Sequence, residues 1–273
     1  LAARLATNNR HRRDRHRGSR RMRLPMPIVR ILIVLLALAS PALAQDGPRD
    51  AAAAGEAARM FRVYVEGVAK KGERPDLTRP ETTALLGRVF DVEALGALPP
   101  AKASDMSWLM DWMDAANATY KLFALYGSKP GAQPDLAMIQ RNMTDYGDQY
   151  AAAMNFVIRG MAREAVAGEL FMASLAPEQR TRIRQEGFTG FRRSAAEFIL
   201  GTVCAAIQGA GTPANARLVA AAIRDTREVW ASFLLPQDRA RVIEQLADLP
   251  RWAPDETART DLAAFTAALR AVN

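Results

Sequence analysis

The stretch PDLAMIQRNMTDYGDQYAAAMNFVIRGMAREAVAGELFMASL, residues 134–175, decides the fold class. Within it Leu136, Ile139, Met143, Tyr146, Tyr150, Met154, Ile158, Met161, Ala165, Gly168, Met172 and Leu175 form one seam. Steps of three and four alternate along the seam, apart from three consecutive fours between Tyr146 and Ile158. An α-helix returns to the same face every 3.6 residues and a strand every second one, so this spacing predicts helix with heptad character and one stutter. A continuous helix here would be about 60 Å long. Gly147, Gly160 and Gly168 each cost about 1 kcal/mol relative to Ala, and they mark where it would bend or divide into two.

Outward from this seam, proline and glycine divide the rest of the chain into further helix-length pieces. The expected helices are 51–71, 80–97, 104–126, 134–175, 177–208, 213–234, 237–248 and 254–271. Ser104 is the expected N-cap of the third, and Thr212-Pro213 pairs an N-cap with proline at the first helical position. Pro254 opens the last, with Asp255 and Glu256 in its first turn, where the helix dipole favours acids. Gly127-Ser128-Lys129-Pro130-Gly131 is the clearest turn. No stretch alternates as a strand between hairpin signals. The expectation is an all-α protein, one bundle-like domain of about seven to nine helices spanning 45–273.

Residues 1–44 read differently. Ten arginines precede or interrupt an apolar run, Ile28 to Ala39, that leads through Pro41 to Ala42-Leu43-Ala44. Basic region, short apolar core and small-residue site are the order of a bacterial secretory signal peptide, with cleavage expected after Ala44 to leave Gln45 as the new N-terminus. The uninterrupted apolar part, 31–39, is far shorter than the roughly 20 residues a membrane-spanning helix needs. No cysteine follows it, which closes the lipoprotein route. Met22 or Met26 would serve as a start residue. Ser19-Arg20-Arg21-Met22-Arg23-Leu24 resembles a twin-arginine signal, except that Arg23 stands where that signal has an apolar residue. The expected location is periplasmic or secreted.

Removing this segment changes what the composition says. The whole chain carries a formal charge of +8, but ten of its arginines and both histidines lie in residues 1–44. The mature part is nearly neutral and free of histidine. It therefore cannot build a Ser-His-Asp triad or a histidine-based zinc or di-iron site. A single cysteine, Cys204, excludes an internal disulfide, a C-x-x-C pair and a c-type haem attachment.

Five features carry what chemistry the sequence offers. Met106, Met110 and Met113 share one helical face, which reads as core packing; Met-based binding of Cu(I) is the functional alternative. The same helix is apolar on a second side through Trp108, Trp112, Ala115, Thr119, Leu122 and Tyr126, as a central helix or one lining a groove would be. Arg180, Arg182, Arg184, Arg192 and Arg193 surround Phe188 and Phe191 and would suit peripheral contact with anionic lipid or cell wall. Residues 195–211 are nearly all apolar, with Gly201, Ala205 and Gly209 as a small-residue stripe; Glu197 makes this a buried helix rather than a membrane one, with Cys204 an inert thiol inside it. Asp145 and Asp148 place two acids three residues apart, the minimal requirement for carboxylate catalysis on glycan.

No catalytic, cofactor-binding or metal-binding residues are assigned. The functional expectation is an exported, non-catalytic helical protein that binds a partner protein or an apolar ligand, with nucleic acid excluded by compartment. A carboxylate-dependent cell-wall glycan enzyme and a methionine-based copper binder are the alternatives.

Overall fold

The computed structural model describes residues 48–128, 135–209, 211–249 and 253–272. The expected signal peptide with its Ala44 cleavage site, and most of the turn at 127–131, lie outside the described residues. Those described are helical throughout, with no strand among them. The α-helices are α1 (Arg49–Lys70), α2 (Pro80–Val89), α3 (Val92–Ala97), α4 (Met106–Ala124), α5 (Leu136–Asp145), α6 (Gly147–Ser174), α7 (Arg182–Phe198), α8 (Cys204–Gln208), α9 (Pro213–Asp225), α10 (Arg227–Phe233), α11 (Pro236–Leu246) and α12 (Glu256–Ala271). A π-helical turn, Ile199–Val203, joins α7 to α8 within one continuous rod.

There are more segments than the seven to nine expected, because three of the expected helices are broken and the π turn divides a fourth, 177–208, whose α-helical part begins only at Arg182. Residues 80–97 divide at Phe90–Asp91, where the Asp91 side chain caps α3 by accepting from the Ala94 N–H. Residues 213–234 divide at Thr226, whose hydroxyl turns back onto the carbonyls of Ala222 and Ile223. The long helix divides at Tyr146, which leaves helical geometry with φ −115° and ψ 34°. The break falls beside Gly147, while Gly160 and Gly168 lie inside an unbroken α6.

Two cap assignments shift. Ser104 sits within a 3-10 turn, Ala103–Asp105, ahead of α4 rather than capping it. Asp255 is the N-cap of α12, accepting from the Ala258 N–H, rather than a member of its first turn. The Thr212 hydroxyl accepts from the Asn215 N–H at the start of α9, with Pro213 in the first turn.

The helices stack in sequence across the molecule: α1 on α4, α4 on α6, α6 on α9, and α9 on α12. α6 is the middle of this stack and is buried nearly all round. Residues off the predicted seam, among them Ala151, Ala153, Phe156, Val157 and Ala162, are buried along with those on it. A helix apolar on all sides belongs inside a protein rather than on its surface. The buried residues form one contiguous core from Ala54 in α1 to Leu269 in α12.

α4 is the second interior helix. Its Trp112 packs against Phe156 of α6, ring centroids 5.3 Å apart, and its indole N–H donates to the Val89 carbonyl at the end of α2 (3.1 Å). On its α1 side, Phe123 meets Phe61 edge-on.

The connection between α1 and α2 is pinned by side chains from three other places. Tyr126 and Tyr146 donate their hydroxyls to the carbonyls of Glu73 and Pro75, and the Tyr64 hydroxyl accepts from the Asp76 N–H. Arg74 lies over the Tyr146 ring and donates to Asp145 and to the Asn142 side-chain oxygen. The Asn142 amide in turn donates to the carbonyls of Ala124 and Tyr126, closing the C-terminal end of α4. The break at Tyr146 is thus stabilised by contacts some seventy residues upstream. On the far side of α6, Arg159, Asp225, Arg224 and Asp261 form a chain of ion pairs tying α6, α9 and α12 together.

Candidate functional site

Two grooves flank the central helices. The first lies between α2 and α6 and has a volume of about 230 Å³. Its floor is Leu77, Leu86, Phe90 and Ala152, with Asp148 and Gln149 at one rim. Gly87 opens its mouth: a Cβ placed there would meet nothing within 4 Å. Asp148 is held by the Asn215 side chain (2.9 Å), so the polar rim is fixed while the floor is apolar.

The second groove lies between α1 and α4 and has a volume of about 250 Å³. Small residues, Gly55, Ala58, Ala115 and Ala118, make its space, and Arg59, Arg62, Asp114 and Thr119 supply its polar groups. Burial, and after it the neighbouring Asp111, pushes the Asp114 carboxyl up; Lys121 opposes them.

On the other flank of α4, Asp114 also acts on Glu164 of α6. Glu164 is 4% exposed and makes no hydrogen bond with any described residue. Burial first, and the Asp114 charge second, push its carboxyl up to about 8. It is therefore a neutral acid at pH 7, carried into the core between two interior helices. Nothing in the seam pattern marks it. The readable signal is the run of off-seam Ala, Phe and Val on α6, which shows that every face of this helix is covered and that a carboxylate at 164 goes inside with them.

The features singled out in the sequence are distributed as follows. Met106 and Met113 are buried against α6. A Cβ added to Gly160 would collide with the Met113 sulfur, and one added to Gly168 would lie 3.8 Å from the Met106 methyl. The Met113 thioether fills the space that Gly160 leaves, while at Gly168 the Phe188 ring comes nearer than Met106. Among the described residues no group of three or more His, Cys, Asp or Glu is placed to hold a metal ion. The two apolar sides of 104–126 are both covered, one by α1 and the other by α6, and the α1 side retains the second groove along Ala115, Ala118 and Leu122.

In the arginine-rich segment most guanidinium groups are engaged. Arg180 donates to the carbonyls of Leu175 and Ala173, closing the end of α6, and Arg184 donates to Gln179. Arg192 donates to Phe233 and Ser232 at the end of α10 and stacks on the Phe233 ring. Cations at helix C-termini complement the dipole there. Arg182 pairs with Glu186, and Phe188 and Phe191 pack inward against Phe233.

Asp145 and Asp148 do not act together: the break at Tyr146 puts them on different helices, one paired with Arg74 and the other with Asn215. Residues 195–209 form the end of α7, the π turn and α8, with Glu197 paired to Arg241 of α11. Among the described residues no helix is long and apolar enough to cross a membrane. Burial pushes the Cys204 thiol up to about 12, which leaves it without thiolate character at neutral pH.

No protein-family model, curated protein or solved structure matches this chain.

Proposed function

We propose that this chain is an exported helical protein that works by binding an apolar ligand or an apolar side chain of a partner, and not by catalysis. The α2–α6 groove carries the reading. Its floor of Leu77, Leu86, Phe90 and Ala152 is open at Gly87, and its polar rim is fixed by Asp148. At about 230 Å³ it is smaller than the 300–1,000 Å³ of drug-sized pockets, so it suits one side chain or a short acyl segment. Export rests on the basic, apolar and small-residue order of residues 1–44.

Titration of the purified chain with N-phenyl-1-naphthylamine, a neutral apolar fluorophore, tests the groove. Saturable fluorescence enhancement that is lost in Ala152→Phe supports it; equal enhancement in both proteins overturns it. Mass measurement of the protein from the exported fraction tests the location. A chain beginning at Gln45 supports it, and an unprocessed chain retained in the cytoplasm overturns it.

A second reading rests on Ile183, 67% exposed between Arg182 and Arg184 at the start of α7. An apolar side chain standing among cations suits contact with an anionic surface. Flotation with anionic liposomes at low salt tests it, and protein remaining unbound removes it.

A further inference from the structure

The α1–α4 groove holds charges of both signs that do not meet. Arg59 and Arg62 are exposed on α1 and make no ion pair or hydrogen bond with any described residue. Asp114 lines the same groove from α4 and has no nitrogen cation within ion-pair distance among the described residues. Elsewhere in this protein arginines lying near carboxylates pair with them, as Arg159 does with Asp225 and Arg217 with Asp255. Here the intervening residues Gly55, Ala58, Ala115 and Ala118 leave a gap between the opposite charges.

A further group is left unused in the same lining. Thr119 is fully buried and its hydroxyl has no hydrogen-bond partner. Three other helical threonines, Thr144, Thr260 and Thr266, and Thr226 at the break between α9 and α10, donate to the carbonyl four residues back. A hydroxyl buried without a partner is costly, and a ligand seated beside it relieves that cost.

We propose that this groove binds a small zwitterion of the free α-amino acid class. Its carboxylate sits on Arg59 and Arg62, and its ammonium on Asp114. A short apolar side chain lies over Ala118 and Leu122, and the Thr119 hydroxyl completes the contacts. Guanidinium groups suit a carboxylate because their planar fork matches its two oxygens. The volume, about 250 Å³, is roughly that of eight water molecules at about 30 Å³ each, enough for an amino acid of leucine's size. An ammonium beside Asp114 also adds to the opposing charge of Lys121, which acts on the carboxyl without reaching ion-pair distance. The site is separate from the α2–α6 groove and uses different chemistry.

Calorimetric titration of the purified chain with leucine, N-acetylleucine and leucinamide tests the proposal. Leucine is the probe because the uncharged lining is glycine, alanine and leucine. Saturable binding of leucine is expected, with each derivative at least about tenfold weaker, a difference of about 1.4 kcal/mol. Arg59→Gln/Arg62→Gln is expected to bind leucine and leucinamide equally, and Asp114→Asn to bind leucine and N-acetylleucine equally. These side chains are exposed and unpaired, so the variants keep the fold, which circular dichroism verifies. No saturable binding of leucine overturns the proposal. Equal binding of all three probes by the native chain, or unchanged selectivity in the variants, also overturns it. Ala152→Phe is expected to leave leucine binding intact, which separates this site from the apolar groove.

Discussion

The sulfur of Met113 occupies the space where a side chain on residue 160 would begin, so that α4 and α6 approach each other through the absent Cβ of Gly160. The methionine is buried in the core. Gly160→Ala is therefore expected to destabilise the protein by up to about 2 kcal/mol. Overpacking costs roughly 1–3 kcal/mol, and only about 1 kcal/mol returns through helix propensity. Chemical denaturation measures it. In a Met113→Ala background the sign reverses, and Gly160→Ala becomes stabilising by up to about 1 kcal/mol.

Glu164 makes stability depend on pH in the direction opposite to an ordinary ion-paired carboxylate. Its carboxyl is held up to about 8 in the folded chain, against an ordinary value of 4.5. Between these values the folded state binds a proton that the unfolded chain has released, so stability falls as pH rises. The contribution is whole below about pH 4.5 and gone above about pH 8. The penalty is on the order of 5 kcal/mol. Glu164→Gln, which keeps the shape and stays neutral, is expected to remove this slope, so that the variant exceeds the native chain in stability at pH 9. Denaturant melts at pH 5, 7 and 9 provide the comparison.

Asn142 is the residue on which the Tyr146 break and the end of α4 both depend. It is 3% exposed, accepts from Arg74, and donates to the carbonyls of Ala124 and Tyr126. Asn142→Ala is expected to cost about 2–4 kcal/mol, since it leaves the Ala124 and Tyr126 carbonyls without the amide and removes one of the acceptors of Arg74, which keeps Asp145. Limited proteolysis of the variant is expected to cut first within residues 71–79, the segment that Arg74 otherwise anchors.

Cys204 is buried, with a thiol pushed up to about 12. A thiol reagent such as 5,5′-dithiobis(2-nitrobenzoate) is expected not to label the native chain at pH 8 and to label it fully in denaturant. Native labelling at the rate of a free thiol would show that the α7–α8 rod opens.

Much of the helical architecture was legible before folding because it depends on local chemistry. The three- and four-residue steps of 134–175, the abundance of alanine and the Thr212-Pro213 start all act within a turn or two of helix. The break at Tyr146 was legible only as one of three glycine positions at which the helix would bend or divide, because the same spacing continues on both sides of it. What holds it is the Tyr146 hydroxyl on Pro75 and the Arg74 guanidinium over its ring, contacts distant in sequence. The candidate site divides the same way. The two-sided apolar character of 104–126 pointed to α4, but neither Arg59 nor Arg62 stood out among the many arginines of the chain. Only the packing of α1 on α4 places them opposite Asp114.

By itself the sequence determined the all-helical class, the Thr212-Pro213 start of α9 and the scarcity of cysteine and histidine chemistry after residue 44. Each of these follows from residue type or from spacing within a few residues. The tertiary structure alone decided which helix is central, that Glu164 is carried inside it as a neutral acid, and which charges line a groove without meeting. Burial and electrostatic partnership depend on what other segments bring to a residue, and no local pattern encodes that.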